Sequence, residues 1–180
     1  MCISNEGNGF PGIFMISRHE SEREVRKLFE KLCQWNSCDP QIIMTDDFKI
    51  YSKLISEYYP QTSHLLCTWH IYRAWIRKLS KLYSKRMVQN IFYDLMKIQR
   101  ILDIDQFELE YRQFLERCDP SLKMYFIANY DSRKEKWASC YRKYAGINVN
   151  MFNESLHRLL KRTYLKGNNC EFYFFTIIFN

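Results

Sequence analysis

Two short apolar runs stand one helix apart within residues 41–75, and each ends on side chains that chemistry can use. Ile42-Ile43-Met44 stops on Thr45-Asp46-Asp47, and His64-Leu65-Leu66-Cys67 stops on Thr68-Trp69-His70. Between them, Phe48 to Tyr58 has helical spacing and Pro60 closes it. Strand, helix, strand with reactive residues at the carboxyl ends is how an α/β site looks in one dimension. Each part also has a plain structural reading. An Asp after a strand commonly caps the next helix, and a buried cysteine is an ordinary core residue.

The flanking sequence extends this pattern. Glu6-Gly7-Asn8-Gly9 is a hairpin signal, because Asn and Gly tolerate positive φ. Phe10 to Ser17 follows as a strand. Only five residues precede Glu6, so the sequence predicts a hairpin strand without a partner and a domain that starts in mid-sheet. Val25, Leu28, Phe29 and Leu32 form a helical stripe in Glu20 to Leu32. After Trp69 the periodicity is helical throughout: Ile71–Tyr83, Met87–Leu102, Ile104–Leu115, then shorter helices over 122–129 and 132–141. Asn150 suits the N-cap of a last helix with Phe152, Leu156, Leu159 and Leu160 on one face. Glu154, Arg158 and Lys161 lie on the opposite face, and Gly167-Asn168-Asn169 ends the helix. The apolar run at 172–179 reads as a core strand or helix. The expectation is an α/β core over 1–70, an all-helical insertion over 71–147, and a final core helix with a tail over 148–180.

Composition narrows the function classes. With 180 residues and 47% hydrophobic content the chain is globular, with room for one domain and a small subdomain. Five Gly and four Pro are too few for a turn-rich β-sandwich. A formal charge of +7 permits a polyanionic partner, of which nucleic acid is the usual one. Seven cysteines without a secretory leader point to free thiols and a nuclear or cytoplasmic setting rather than a secreted one. No apolar run is long enough for a membrane span.

Several constellations have residue types suited to chemistry. Asp46 and Glu154 stand 108 positions apart, on a strand end and a late helix; two such carboxylates are suited to hard divalent ions. Cys67 and His70, with Cys33 and Cys38, have the residue types of a zinc site, although pairs at these gaps arise by chance. His64 on its apolar strand reads as a satisfied core residue. Arg73, Arg77, Lys78, Lys81, Lys85 and Arg86 are either a solvated helix face or a phosphate-contacting surface. In the second case Trp69, Tyr72 and Trp75 would be stacking platforms.

Taken together, several blocks resemble the Mutator-like element (MULE) transposases. They are Thr45-Asp46-Asp47, Tyr59-Pro60, the His64–His70 block, Trp137-Ala138-Ser139-Cys140-Tyr141-Arg142, and the block from Asn148 to Lys161. The resemblance runs from about Gly7 to Gly167. It implies a ribonuclease-H-like core with a DDE triad for Mg2+- or Mn2+-dependent DNA cleavage and joining. Asp46 matches the second Asp, Glu154 the Glu, and Cys67 and His70 a family Cys-x-x-His motif. Arg158, Lys161 and Arg162 flank Glu154 where a DNA backbone would approach. The family's first Asp lies upstream of the hairpin turn and has no counterpart in this sequence. The expectation is therefore a transposase-derived domain that binds DNA, lacks cleavage by itself, and leaves homo-oligomerisation open. A non-catalytic DNA-binding module or a decayed transposon remnant is the alternative.

Overall fold

The structure, a computed structural model, describes residues 2–3, 9–10, 15–17, 21–35, 40–143, 145, 173–175 and 178–179. The fold is mixed α/β, mostly helical, with a small sheet. The chain divides into two compact units: Met1–His64 with Val149–Asn180, and Leu65–Asn148.

In the first unit, β1 (Cys2–Ile3) pairs antiparallel with β2 (Gly9–Phe10), with Cys2 opposite Phe10 and Ile3 opposite Gly9. This corrects the expectation of an unpartnered hairpin strand: two residues before the turn suffice to pair. Next come β3 (Met15–Ser17), α1 (Glu22–Trp35), β4 (Ile42–Thr45) and α2 (Lys49–Tyr58). β5 (Ser63–Leu66), β6 (Tyr173–Phe175) and β7 (Ile178–Phe179) complete the strands. The main sheet has the order β2-β1-β7-β4-β5, and β3 pairs separately with β6. The described parts of the run at 172–179, Tyr173–Phe175 and Ile178–Phe179, are thus strand. β7 lies parallel to β1 and antiparallel to β4, so the far end of the chain joins the hairpin to β4.

The helical stripe of α1 is buried as the periodicity predicts: Val25, Leu28, Phe29 and Leu32 are each at most 4% exposed. They pack with Ile43 of β4 and with Tyr51, Leu54, Ile55 and Tyr59 from α2 and its end. On the outer side Arg26 bridges Glu22 and Glu57, and Lys53 bonds Glu22, tying α1 to α2. The final helix expected after Asn150, with Glu154, Arg158, Lys161 and Arg162, lies outside the described residues.

The second unit is built from α3 (Thr68–Leu79), α4 (Lys85–Arg100), α5 (Ile104–Arg117) and α6 (Pro120–Asn129). The Asp103 carboxylate accepts from Gln106 N at 2.9 Å and caps α5. Asp119 caps α6 by accepting from Ser121 N and Leu122 N, with Pro120 inside the first turn, where its missing N–H costs nothing. The helix expected over 132–141 is instead two 3-10 segments, Asp131–Lys136 and Ser139–Tyr141. Trp137, between them, points its indole N–H at Tyr130 O, 3.0 Å away. That anchor and the non-helical Arg133 prevent a continuous helix. Leu102 and Ile104, expected on apolar stripes, are 60% and 43% exposed, because α4 ends at Arg100 and α5 begins only at Ile104.

Trp75 occupies the centre of this unit with no exposed surface. Its ring lies 5.6–5.8 Å from the rings of Tyr72, Phe126, Tyr130 and Trp137. Truncation of such a residue to Ala typically costs about 3–5 kcal/mol. In the first unit the sheet depends on β7, which gives a simple test. Deleting residues 172–180 removes the strand between β1 and β4 and should lower the melting temperature by roughly 2–4 °C per kcal/mol lost. An unchanged thermal melt would show that β7 contributes no stability.

Candidate nucleic-acid interface

Asp46 follows the last residue of β4 and is half-buried. Its backbone is held by its neighbour: the buried Thr45 hydroxyl donates to Asp46 O at 2.7 Å. The same oxygen lies 2.8 Å from His64 Nε2. Since the hydroxyl proton is committed to the carbonyl, Nε2 must carry the donated hydrogen, and Nδ1 faces the Ser52 hydroxyl at 3.4 Å. His64 is therefore satisfied on both ring nitrogens, and it braces the strand end that presents Asp46. Asp47 does not cap α2, as the sequence suggested; the cap position falls on Phe48, which makes no side-chain cap bond.

The Cys-x-x-His pair sits at a strand-to-helix junction. The sequence placed Thr68, Trp69 and His70 at a strand end, but α3 begins at Thr68, with the buried Cys67 as its N-cap and His70 in its first turn. The junction is pinned by Arg142, only 4% exposed, whose guanidinium donates to Leu66 O at 2.9 Å and to Thr68 Oγ1 at 3.3 Å. Burial pushes the Arg142 pKa down to about 10, with Cys67 and Tyr72 opposing that shift. Beside it, Tyr72 donates to Gln99 Oε1 at 2.9 Å, and Gln99 Nε2 donates to Trp137 O and Ser139 Oγ, both at 3.1 Å. Arg142 and Gln99 were not singled out from the sequence. The tripeptide Cys140-Tyr141-Arg142 carried a signal, but a Gln inside an amphipathic helix gives none.

The cations of α3 and the following turn have a different environment. Residues 58–93 contain no Asp or Glu but hold Arg73, Arg77, Lys78, Lys81, Lys85 and Arg86. All except Lys78 are exposed; the Lys78 ammonium lies 5.2 Å from the centre of the Tyr125 ring. None of the six joins an ion pair among the described residues, whereas Arg26, Lys27, Lys53 and Lys134 do. Trp69, 51% exposed, shares the outer face of α3 with Arg73, Ile76 and Arg77. Of the three aromatics expected as stacking platforms, it alone is available. Trp75 is core, and the Tyr72 hydroxyl is committed to Gln99.

Residues 1–74 match the family model of the MULE transposase domain. Over this span the chain is similar to the MULE transposase domain. The match takes in Asp46, Cys67, His70 and Arg73, but it stops short of the Trp137–Arg142 and Asn148–Lys161 blocks that also carry the resemblance. No curated protein and no solved structure matched the chain. No helix of the described residues is long and apolar enough to cross a membrane.

The family's chemistry raises the fit of a divalent metal. Among the described residues no group of three or more His, Cys, Asp or Glu converges as a metal site, for Mg2+ or for zinc. Of the two carboxylates expected to bind metal, Asp46 is described and Glu154 is not, and one carboxylate does not make a cage for either ion. Cys33 is exposed and its thiol lies 3.6 Å from Tyr59 Oη; Cys38 lies outside the described residues. No reaction step is routed through a metal here.

The partly buried thiol and the phenols of the helical unit make its stability sensitive to alkali. Burial pushes the Cys118 thiol from 9.0 up to about 11 and raises Tyr72 and Tyr111 as well. Above pH 9 the unfolded chain releases protons that the folded one keeps, so stability falls as pH rises. Arg142 acts in the opposite sense only above about pH 10. Between pH 9 and pH 10 the melting temperature should therefore fall, with Cys118 contributing in that direction. A melting temperature that is flat or rising over this interval contradicts the assignment.

Proposed function

We propose that this chain is a transposase-derived DNA-binding domain, and that α3 and the turn into α4 form its phosphate-contacting surface. The observation that carries the reading is the carboxylate-free stretch 58–93, whose five exposed cations take no ion-pair partner among the described residues. Arg77 and Lys78 stand in the last turn of α3, where the helix dipole favours them. Lys85 and Arg86 stand in the first turn of α4, where the dipole disfavours cations by about 0.3–1 kcal/mol each. Helix stability therefore does not account for their presence, and an external polyanion does. Arg158, Lys161 and Arg162, which lie outside the described residues, are separate candidates for phosphate contact.

The order hairpin, α1, β4, α2, β5 supports descent from a ribonuclease-H-like core, with Asp46 and Glu154 as inherited metal-binding carboxylates. Asp46 and Glu154 are candidates for that site, and the first reading is DNA binding. The bracing of Asp46 by Thr45 and His64 favours the second reading, retained nuclease chemistry.

Fluorescence anisotropy with a labelled duplex decides the first reading. Affinity should fall with salt with a slope of about −0.9 per phosphate neutralised. Replacing Arg73, Arg77, Lys81, Lys85 and Arg86 by Gln should weaken binding and flatten that slope. No binding at low salt refutes the proposal. A plasmid-nicking assay with Mg2+ or Mn2+ decides between the readings. No nicking is expected, and nicking abolished by Asp46→Ala would assign catalysis to this chain.

A further inference from the structure

The outer side of the α3–α4 hairpin carries a groove of about 410 Å3. Its apolar walls are Ile76 from the end of α3, Tyr83 from the connecting turn, and Val88 and Phe92 from α4. Lys85 and Gln89 supply its polar rim. The volume is within the roughly 300–1,000 Å3 range of pockets that enclose small organic groups. The groove lies wholly inside the carboxylate-free stretch, and Arg77, Lys81 and Arg86 follow its lining residues in sequence. A second groove of about 410 Å3, bounded by Met87, Ile91, Phe114 and Leu122, makes a useful contrast. It shares Tyr83 with the first groove, but its charged lining is Asp94, Asp119 and Arg117, which is net negative and less suited to a polyanion.

We propose that the α3–α4 groove seats the base of an unpaired nucleotide, so that this surface prefers single-stranded over duplex DNA. The inference rests on the DNA-binding reading and adds its substrate class. The occupant must bring a flat apolar surface for Tyr83 and Phe92 together with negative charge for Lys85 and its neighbours. Duplex DNA satisfies only the second requirement, because its bases are stacked inward and show the protein only their edges and the phosphates. An unpaired nucleotide satisfies both, and stacking on an aromatic side chain is worth about 1–3 kcal/mol per base. Gln89 at the rim has a donor and an acceptor for a base edge. An apolar protein segment would fill the walls but leave the cations unanswered, so charge complementarity selects the nucleotide.

The test compares a labelled oligothymidylate with a blunt duplex of the same length, using the full chain at matched salt. The single strand should bind at least about tenfold tighter. Tyr83→Ala should weaken single-strand binding about tenfold, the lower-to-middle part of the stacking range, and leave duplex binding within about twofold, since no charge changes. Tyr83→Phe should restore it. At the exposed position, Ile76→Glu should weaken single-strand binding more than duplex binding. Equal, salt-sensitive binding of both DNAs that ignores Tyr83→Ala would overturn the groove while leaving the phosphate surface intact. Absence of binding to either DNA would overturn both readings. Concentration-dependent dimerisation abolished by Ile76→Glu would assign the groove to a second copy and overturn the proposal. Tyr83 also packs against the core, so a second measurement covers a variant that fails to melt cooperatively. Photocrosslinking of the intact chain with an oligonucleotide carrying 5-iododeoxyuridine should place the adduct on the peptide spanning 83–92. An adduct confined to other peptides refutes the proposal.

Discussion

Burial of Trp75 sets the orientation of everything useful on α3. Its indole is enclosed by Tyr72, Phe126, Tyr130 and Trp137, contributed by α3, α6 and the 3-10 region. On a helix of 3.6 residues per turn, fixing one residue fixes the azimuth of all the others. Ile71 and Leu79, four residues before and after Trp75, are buried with it. Trp69, Arg73 and Arg77 must then face roughly the opposite way. Aromatic packing in the core thus decides that Arg73 and Arg77, together with Trp69, are on the outer surface.

The polar interior of the same unit is consistent with that role. Gln99 accepts from Tyr72 and donates to Ser139 and the Trp137 carbonyl, and Arg142 clamps the entry into α3 from inside. These bonds hold α3, α4 and the 3-10 segments in one arrangement, because a buried polar group left unsatisfied costs about 1–3 kcal/mol. The exposed cations of α3 and the turn into α4 join no ion pair among the described residues. Elsewhere the chain pairs its charges, as in the Glu22–Arg26–Glu57 and Lys53 cluster across α1 and α2. The contrast separates charge paired within the fold from charge without an ion-pair partner among the described residues.

Much of the architecture was legible in residue periodicity. The stripe Val25, Leu28, Phe29, Leu32 and the strands at 42–45 and 63–66 emerged where their spacing placed them, because burial of one face is a local signal. The junction at Cys67 was misplaced by three residues, since Thr68 to His70 has no strong preference of its own and is drawn into helix by the buried stripe Ile71, Trp75 and Leu79. The 3-10 region was missed because its cause, an indole bonded to Tyr130 O, is a tertiary contact. Of the candidate site, the cationic cluster was visible as composition. Which aromatics accompany it was not, because Trp69 and Trp75 differ only in the face of the helix they occupy.

The sequence by itself determined the succession of elements, the family likeness over its first 74 residues, and a run of cations without a neighbouring carboxylate. These depend on local spacing and on residue identity. Tertiary structure alone decided that residues 178–179 complete the sheet between β1 and β4, that Arg142 reaches back to Leu66, and that Trp75 is core. Each of these joins residues far apart in the chain, and a linear pattern does not record which distant partner satisfies a strand edge, a carbonyl or an aromatic ring.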